Sequence, residues 1–160
     1  MNATLYLLDT SILLALVRGG LLADYIRATF KLEELVARPL ASIVSHGELR
    51  AIADRRAWSA GKRKTLVDLL EAHVTLDLGD EAIVQSYVEA DAVSRRLAGG
   101  ARTIGDNDQW IAATAKAADA VLLTADKDFL HFSPAFCRVH YVDPKSRLIK
   151  GPSPSGQSAS

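Results

Sequence analysis

The stretch Leu5-Tyr6-Leu7-Leu8-Asp9-Thr10-Ser11-Ile12-Leu13-Leu14-Ala15-Leu16-Val17 decides the fold. Residues 5–8 form a short, almost uninterrupted apolar run, the pattern of a strand buried on both faces rather than one with a wet side. Three residues of helix-capping type, Asp9, Thr10 and Ser11, follow at once, and residues 10–17 then read as a short helix. The run Val121-Leu122-Leu123-Thr124 repeats this arrangement far along the chain and leads into Ala125-Asp126. Doubly buried strands separated by helices pair in parallel through crossover connections, so the expected class is α/β with a parallel sheet. In such sheets ligands bind beyond the carboxyl ends of the strands. Asp9 and Asp126 stand there.

The rest of the chain fits around these strands. Gly19-Gly20 ends the first helix, and a second is predicted over residues 21–37, with Leu22, Ile26, Phe30 and Leu35 as its apolar stripe and Pro39 forcing the exit. That stripe reads equally as core or as part of a groove for a partner. Residues 40–44 are predicted to be a strand, with a helix opening at Ser45 and running through Ala57, and another from Gly61 to Ala72. A strand over 74–78, a long helix capped by Asp80 through Leu97, a break at Gly99-Gly100, an acidic helix start at Asp106 and a last strand over 139–142 complete the pattern. One domain over 1–148 is expected. The Pro- and Ser-rich segment 149–160 has almost nothing to bury and is expected to be disordered.

Composition narrows the function classes without choosing among them. A 160-residue chain that is 49% apolar builds one good core. Its formal charge of zero provides no global field for nucleic acid, so any such contact must be local. The lone Cys137 and the lack of a signal-like amino end point to a reducing, cytoplasmic setting, and no apolar run is long enough to span a bilayer.

Four acids fall at element junctions: Asp9, Glu48, Asp108 in Ile104-Gly105-Asp106-Asn107-Asp108-Gln109-Trp110, and Asp126 in Thr124-Ala125-Asp126-Lys127-Asp128. Each has an ordinary explanation as a helix cap or a solvated turn, and Ser45-His46-Gly47-Glu48 matches a capping box. As a set they are harder to dismiss, because acids sharing a cleft repel one another unless a cation neutralises them. Oxygen ligands suit Mg²⁺ or Mn²⁺, and the chemistry such an ion serves is phosphodiester hydrolysis. The basic run Arg55, Arg56, Lys62, Arg63 and Lys64 lies downstream of Glu48, where it either holds phosphates of a bound strand or forms a solvated face. The four histidines lack zinc-ligand spacing, and Trp58 and Trp110 read as packed aromatics.

From Leu5 to about Pro144 the chain resembles the PIN-domain ribonucleases, in particular the VapC-like toxins of bacterial toxin-antitoxin pairs. The motifs that carry the resemblance are Leu8-Asp9-Thr10-Ser11, Ser45-x-x-Glu48-Leu49, Ile104-Gly105-x-Asn107-Asp108-x-Trp110-Ile111-Ala112-Ala113 and Leu123-Thr124-x-Asp126-x-Asp128-Phe129. The resemblance implies an α/β/α sandwich and Mg²⁺- or Mn²⁺-dependent endonucleolytic cleavage of RNA. Asp9, Glu48, Asp108 and Asp126 would be the metal-binding acids, supported by Thr10, Ser11, Asn107, Thr124 and Asp128. It further implies an antitoxin partner and a homodimer or toxin-antitoxin hetero-oligomer. The family also contains stand-alone RNA-processing nucleases. Two rivals are a non-catalytic metal- or protein-binding module and a haloacid-dehalogenase-like phosphatase, whose Asp-x-Asp pattern is broken here by Ser11.

Overall fold

The computed structural model describes residues 3–97 and 104–149. Its elements run β1 (Tyr6–Leu8), α1 (Thr10–Arg18), α2 (Leu21–Phe30), β2 (Leu40–Ser42), α3 (Ile43–Arg55), α4 (Ala60–Ala72), β3 (Val74–Leu76), α5 (Glu81–Leu97), α6 (Asp106–Ala117), β4 (Val121–Thr124), a 3-10 helix (Lys127–Phe132) and β5 (Val139–Tyr141). The five strands form one sheet in the order β3-β2-β1-β4-β5, every pair parallel.

Register explains the layers. Leu7 pairs with Leu40 and Leu122, and Leu122 with Val139, so these side chains share one face of the sheet. That face packs with Ala90 of α5, Ile111 and Ala112 of α6, and Phe129 and Phe132 of the 3-10 helix. Leu8, beside Ala41 and Leu123, points the other way into Ile12, Leu13, Ile26, Leu49 and Leu66 on α1 to α4. The result is the expected α/β/α sandwich. Leu7, Leu8, Leu122 and Leu123 are all 0% exposed, each contributing about 1.5–3 kcal/mol of burial, and this is why the two central strands carry no polar residue before their carboxyl ends.

Several boundaries differ from the sequence expectation. The helix predicted over 21–37 stops at Phe30, because Lys31 takes a left-handed conformation (φ 48°) that cannot continue it. Ile26 and Phe30 are buried in the core, and Phe30 meets Tyr6 and His140 edge-on at 5.8 and 5.0 Å. Ile26 and Phe30 are thus core, Leu22 packs partly buried against it, and Leu35, beyond the helix end, lines a cavity with Leu16, Leu32 and Pro39. At the other end of α1, Gly19 and Gly20 both have positive φ (70° and 85°), which lets the chain reverse between two helices.

The strand expected over 40–44 ends at Ser42, which is extended (φ −77°, ψ 144°) and accepts a hydrogen bond from the Val44 amide through its hydroxyl. Ser42 is therefore the N-cap of α3, and Ile43 and Val44 form the first helical turn. Ser45 lies inside the helix, so the expected Ser45–Glu48 capping box does not form. The same helix ends at Arg55 instead of Ala57, whose φ of 47° belongs to the α3–α4 connection. Helix α4 begins at Ala60, capped by the Ser59 hydroxyl. Asp80 caps α5 as expected, accepting from the Ala82 amide. The Gly99-Gly100 break lies outside the described residues, as do residues 150–160 of the segment expected to be disordered. Among the described residues no helix is long and apolar enough to cross a membrane.

Candidate functional site

Sheet order makes β1 the middle strand, with β2 and β3 added on one side and β4 and β5 on the other. The direction of winding reverses between β1 and β4, and a crevice opens there beyond their carboxyl ends. Asp9 follows β1 and Asp126 follows β4 at this point.

Asp9 is 2% exposed and fully engaged. Its Oδ1 accepts from the Ile12 amide (3.0 Å), capping α1, and from the Ser11 hydroxyl (2.6 Å); its Oδ2 accepts from the Thr124 hydroxyl (2.7 Å). Ser11 Oγ in turn accepts from the Ala125 amide (2.9 Å), and Thr124 Oγ1 accepts from the Asp126 amide (2.9 Å). Two hydroxyls thereby tie the end of β1 to the end of β4. Burial pushes the Asp9 carboxyl up to about 6, with the bonds from Ser11, Ile12 and Thr124 working against that rise and Asp126 adding to it.

Asp126 caps the 3-10 helix by accepting from the Asp128 amide (2.9 Å). Asp108 sits in the first turn of α6, whose N-cap Gly105 provides no side-chain cap. Its carboxyl is pushed up to about 7, first by burial and then by the negative charge of Asp126, Glu48, Asp9 and Asp128. Four other acids therefore bear on one half-buried carboxyl, which is the physical sign that chain-distant acids have converged.

Glu48 reaches the cleft from α3, where its Oε1 accepts from the Thr10 hydroxyl (2.7 Å) at the start of α1. Ser45, one turn earlier on α3, brings its hydroxyl within 2.9 Å of the same Thr10 oxygen. The role of Ser45 as a brace for Thr10, missed as a cap, is visible in retrospect as the i, i+3 spacing to Glu48 on one helix face. Another missed contact is Gln109, buried beside Asp108, whose side-chain amide donates to the Ile104 carbonyl (2.8 Å) and clamps the entry to α6. Asn107 is exposed and has no hydrogen bond through its side chain among the described residues.

The basic run divides. Arg63 donates to the Trp58 and Ala53 carbonyls (3.1 and 3.2 Å) and pairs with Asp54, Lys64 pairs with Asp68, and Lys62 lies 4.2 Å above the Trp58 ring. Arg63 and Lys62 hold the α3–α4 corner together, while Lys64 braces α4 alone. Arg55 and Arg56 are exposed and have no such side-chain partner among the described residues.

An α/β/α sandwich with acids gathered at its switch point defines the class of protein: a parallel-sheet domain with an acidic cleft. The chain belongs to the PIN-domain family, whose pattern residues 6–133 match. PIN domains are generally nucleases. The fold is similar to that in the structure of VapBC2 from Rickettsia felis bound to a DNA fragment from their promoter, with a TM-score of 0.67, 18% identity, and coverage of 86% of this chain and 98% of that one. It is also similar to VapBC-1 from nontypeable Haemophilus influenzae (TM-score 0.65, 24% identity, 86% and 98% covered). A third is VapBC-5, a toxin-antitoxin system from Mycobacterium tuberculosis (TM-score 0.58, 24% identity, 88% and 100% covered). No curated protein matches the sequence.

Proposed function

We propose that this chain is a divalent-metal-dependent endoribonuclease acting as the toxin of a toxin-antitoxin pair, with Asp9, Glu48, Asp108 and Asp126 as the acids that bind the metal. The observation that carries the reading is the gathering of acids beyond the carboxyl ends of β1 and β4 and at the start of α6, where the Asp108 carboxyl is raised first by burial and then by the charge of Asp126, Glu48, Asp9 and Asp128. Such a cluster is costly in the empty protein and is relieved by a cation.

The residues fit a hard cation such as Mg²⁺ or Mn²⁺: every donor is a carboxylate or hydroxyl oxygen. Among the described residues no three acid, histidine or cysteine side chains are arranged to hold an ion on their own. That suits an ion that keeps part of its water shell and takes further oxygen ligands from substrate phosphate. When bound, the ion would supply an activated water and neutralise charge developing on the phosphate. The chain's own part is positional. Ser11 and Thr124 hold both oxygens of Asp9 from behind, Thr10 holds one oxygen of Glu48, and the Asp128 amide holds one oxygen of Asp126. Asp9, Glu48 and Asp126 are thereby fixed in direction before substrate arrives and need not reorganise during the reaction. Burial of Asp9 and half-burial of Asp108 keep bulk water from screening the site.

The partner reading draws on the likeness to VapBC complexes, in which a toxin-like fold is bound by an antitoxin. The test is cleavage of a single-stranded RNA with Mn²⁺ or Mg²⁺ and with excess chelator, alongside Asp108→Asn. Cleavage should need the metal and vanish in the variant. Undiminished cleavage in chelator would reject the mechanism.

A further inference from the structure

We infer that Arg55 is a phosphate-binding residue that leads the RNA strand away from the acidic cleft along α3; this rests on the nuclease reading above.

The argument starts from helix geometry. Arg55 follows Glu48 by seven residues, which at 3.6 residues per turn places the two within about 20° of each other on α3 and about 10 Å apart along its axis. Val44 and Ala51 belong to the same stripe, about 40° and 60° from Glu48. The stripe is partly covered along most of the helix and exposed at its end. Val44, in the first turn, is partly buried against the cluster that contains Ile111 and Ala112 of α6. Glu48 and Ala51 are half-buried, and Arg55, in the last turn, is exposed. Helices α3 and α6 touch, and the stripe that meets the α6 side at one end opens to solvent at the other. Arg55 thus stands on the side of α3 that carries Glu48, about 10 Å further along the axis and at its exposed end.

Charge then decides what this side of α3 can bind. A strand whose scissile phosphate lies among the acids must pass its next phosphates over a wall of the cleft, and repulsion by the same acids makes a cation on that wall necessary for tight binding. Of the basic residues downstream of Glu48, Lys62, Arg63 and Lys64 are committed to Trp58, the α3 carboxyl end, Asp54 and Asp68. Arg55 has no side-chain partner among the described residues and lies on the cleft stripe. Arg50 provides a contrast on the same helix: it is also exposed, but two residues from Glu48 it points about 160° away from the cleft stripe. A planar guanidinium fits a phosphodiester as a paired donor, and a contact with the backbone alone adds affinity without choosing a sequence.

The test compares Arg55→Ala, Arg55→Lys and Arg50→Ala on two substrates: a single-stranded RNA long enough to run the length of α3, and a dinucleoside monophosphate that cannot reach past Glu48. For the long RNA, Arg55→Ala should raise KM several-fold with kcat unchanged and make the log-log salt dependence of binding shallower by about 0.7. Arg55→Lys should recover part of the loss. Arg50→Ala should behave as wild type, and no variant should alter cleavage of the dinucleoside. Binding of the long RNA in excess chelator reads the contact without cleavage. If wild type cleaves but Arg55→Ala keeps its KM and salt slope, this inference is overturned and the nuclease reading stands. If wild type fails to cleave while binding still depends on Arg55, the nuclease reading fails and the contact stands.

Discussion

Asp9→Asn should stabilise the metal-free protein, increasingly so as pH rises. The buried carboxyl has a folded-state pKa of about 6 against an ordinary value of 3.8. Between those values the native state binds more protons than the unfolded chain, so stability contributed by Asp9 falls as pH rises through the window and stays low above it. At 1.36 kcal/mol per pH unit the full penalty above pH 6 is about 3 kcal/mol. Asparagine keeps the shape and removes the charge. Its carbonyl oxygen still accepts from Ile12 and Ser11, and its amide faces Thr124 Oγ1, which can turn its own proton toward the Asp126 carbonyl 3.5 Å away.

The assay is urea unfolding of both proteins in excess chelator across pH. His46 and His73, whose pKa values are lowered chiefly by burial, act in the opposite sense: their stability is present above the unfolded value of 6.5 and is lost as pH falls from there through their lower folded values. They are common to both proteins and cancel in the difference. The variant should match wild type near about pH 4 and exceed it by about 3 kcal/mol near about pH 8. A difference that does not change with pH, or a variant less stable at the alkaline end, would show that Asp9 carries no buried charge in the empty protein. Added Mn²⁺ should then close the gap from the wild-type side alone, because only the wild type gains an ion in the native state.

Thr124→Val removes the donor to Asp9 and the acceptor for the Asp126 amide, and should cost about 1–3 kcal/mol by chelator-treated urea melts while moving the acidic limb of the cleavage profile upward; an unchanged profile would detach Thr124 from Asp9. Glu48→Gln keeps an oxygen for the Thr10 hydroxyl, so apo stability should stay within about 0.5 kcal/mol of wild type while turnover falls at limiting Mn²⁺. Wild-type turnover at every Mn²⁺ concentration would remove Glu48 from the ligands. Phe30→Ala opens the core between Tyr6 and His140 and should cost about 3–5 kcal/mol in thermal or urea unfolding. A variant that melts like wild type but loses capture of its antitoxin would return Phe30 to the surface.

The two central strands and the acids that follow them were legible because both features are local. A doubly buried parallel strand must be apolar without interruption, and a polar residue is first allowed at its carboxyl end, so Leu7-Leu8-Asp9 and Leu122-Leu123-Thr124 announce strand and cleft together. Boundaries were legible only where one residue controlled them. Asp80 begins α5 by capping it, and Gly19-Gly20 ends α1 by conformation. At α3 two serines compete, and the sequence pattern favours Ser45 because Glu48 completes a capping box with it. Ser42 is the cap in the structure: its hydroxyl accepts from the Val44 amide, and Val44 packs partly buried against the core while Ile43 stays 40% exposed, beside a β3 that is itself only three residues long. At α2 the apolar spacing continues to Leu35, but Glu33 and Glu34 would have stood in the last turns, where the carboxyl end of a helix disfavours negative charge. The chain leaves the helix at Lys31 before reaching them. The difference at α3 bears on the cleft. Moving the start of α3 from Ser45 to Ile43 turns Glu48 from a residue spent on its own helix end into one free to meet Thr10 across the crevice. What the sequence conceals about this cleft is therefore less the identity of its acids than the contact each is free to make, which for Glu48 turns on which of two plausible caps the tertiary packing selects.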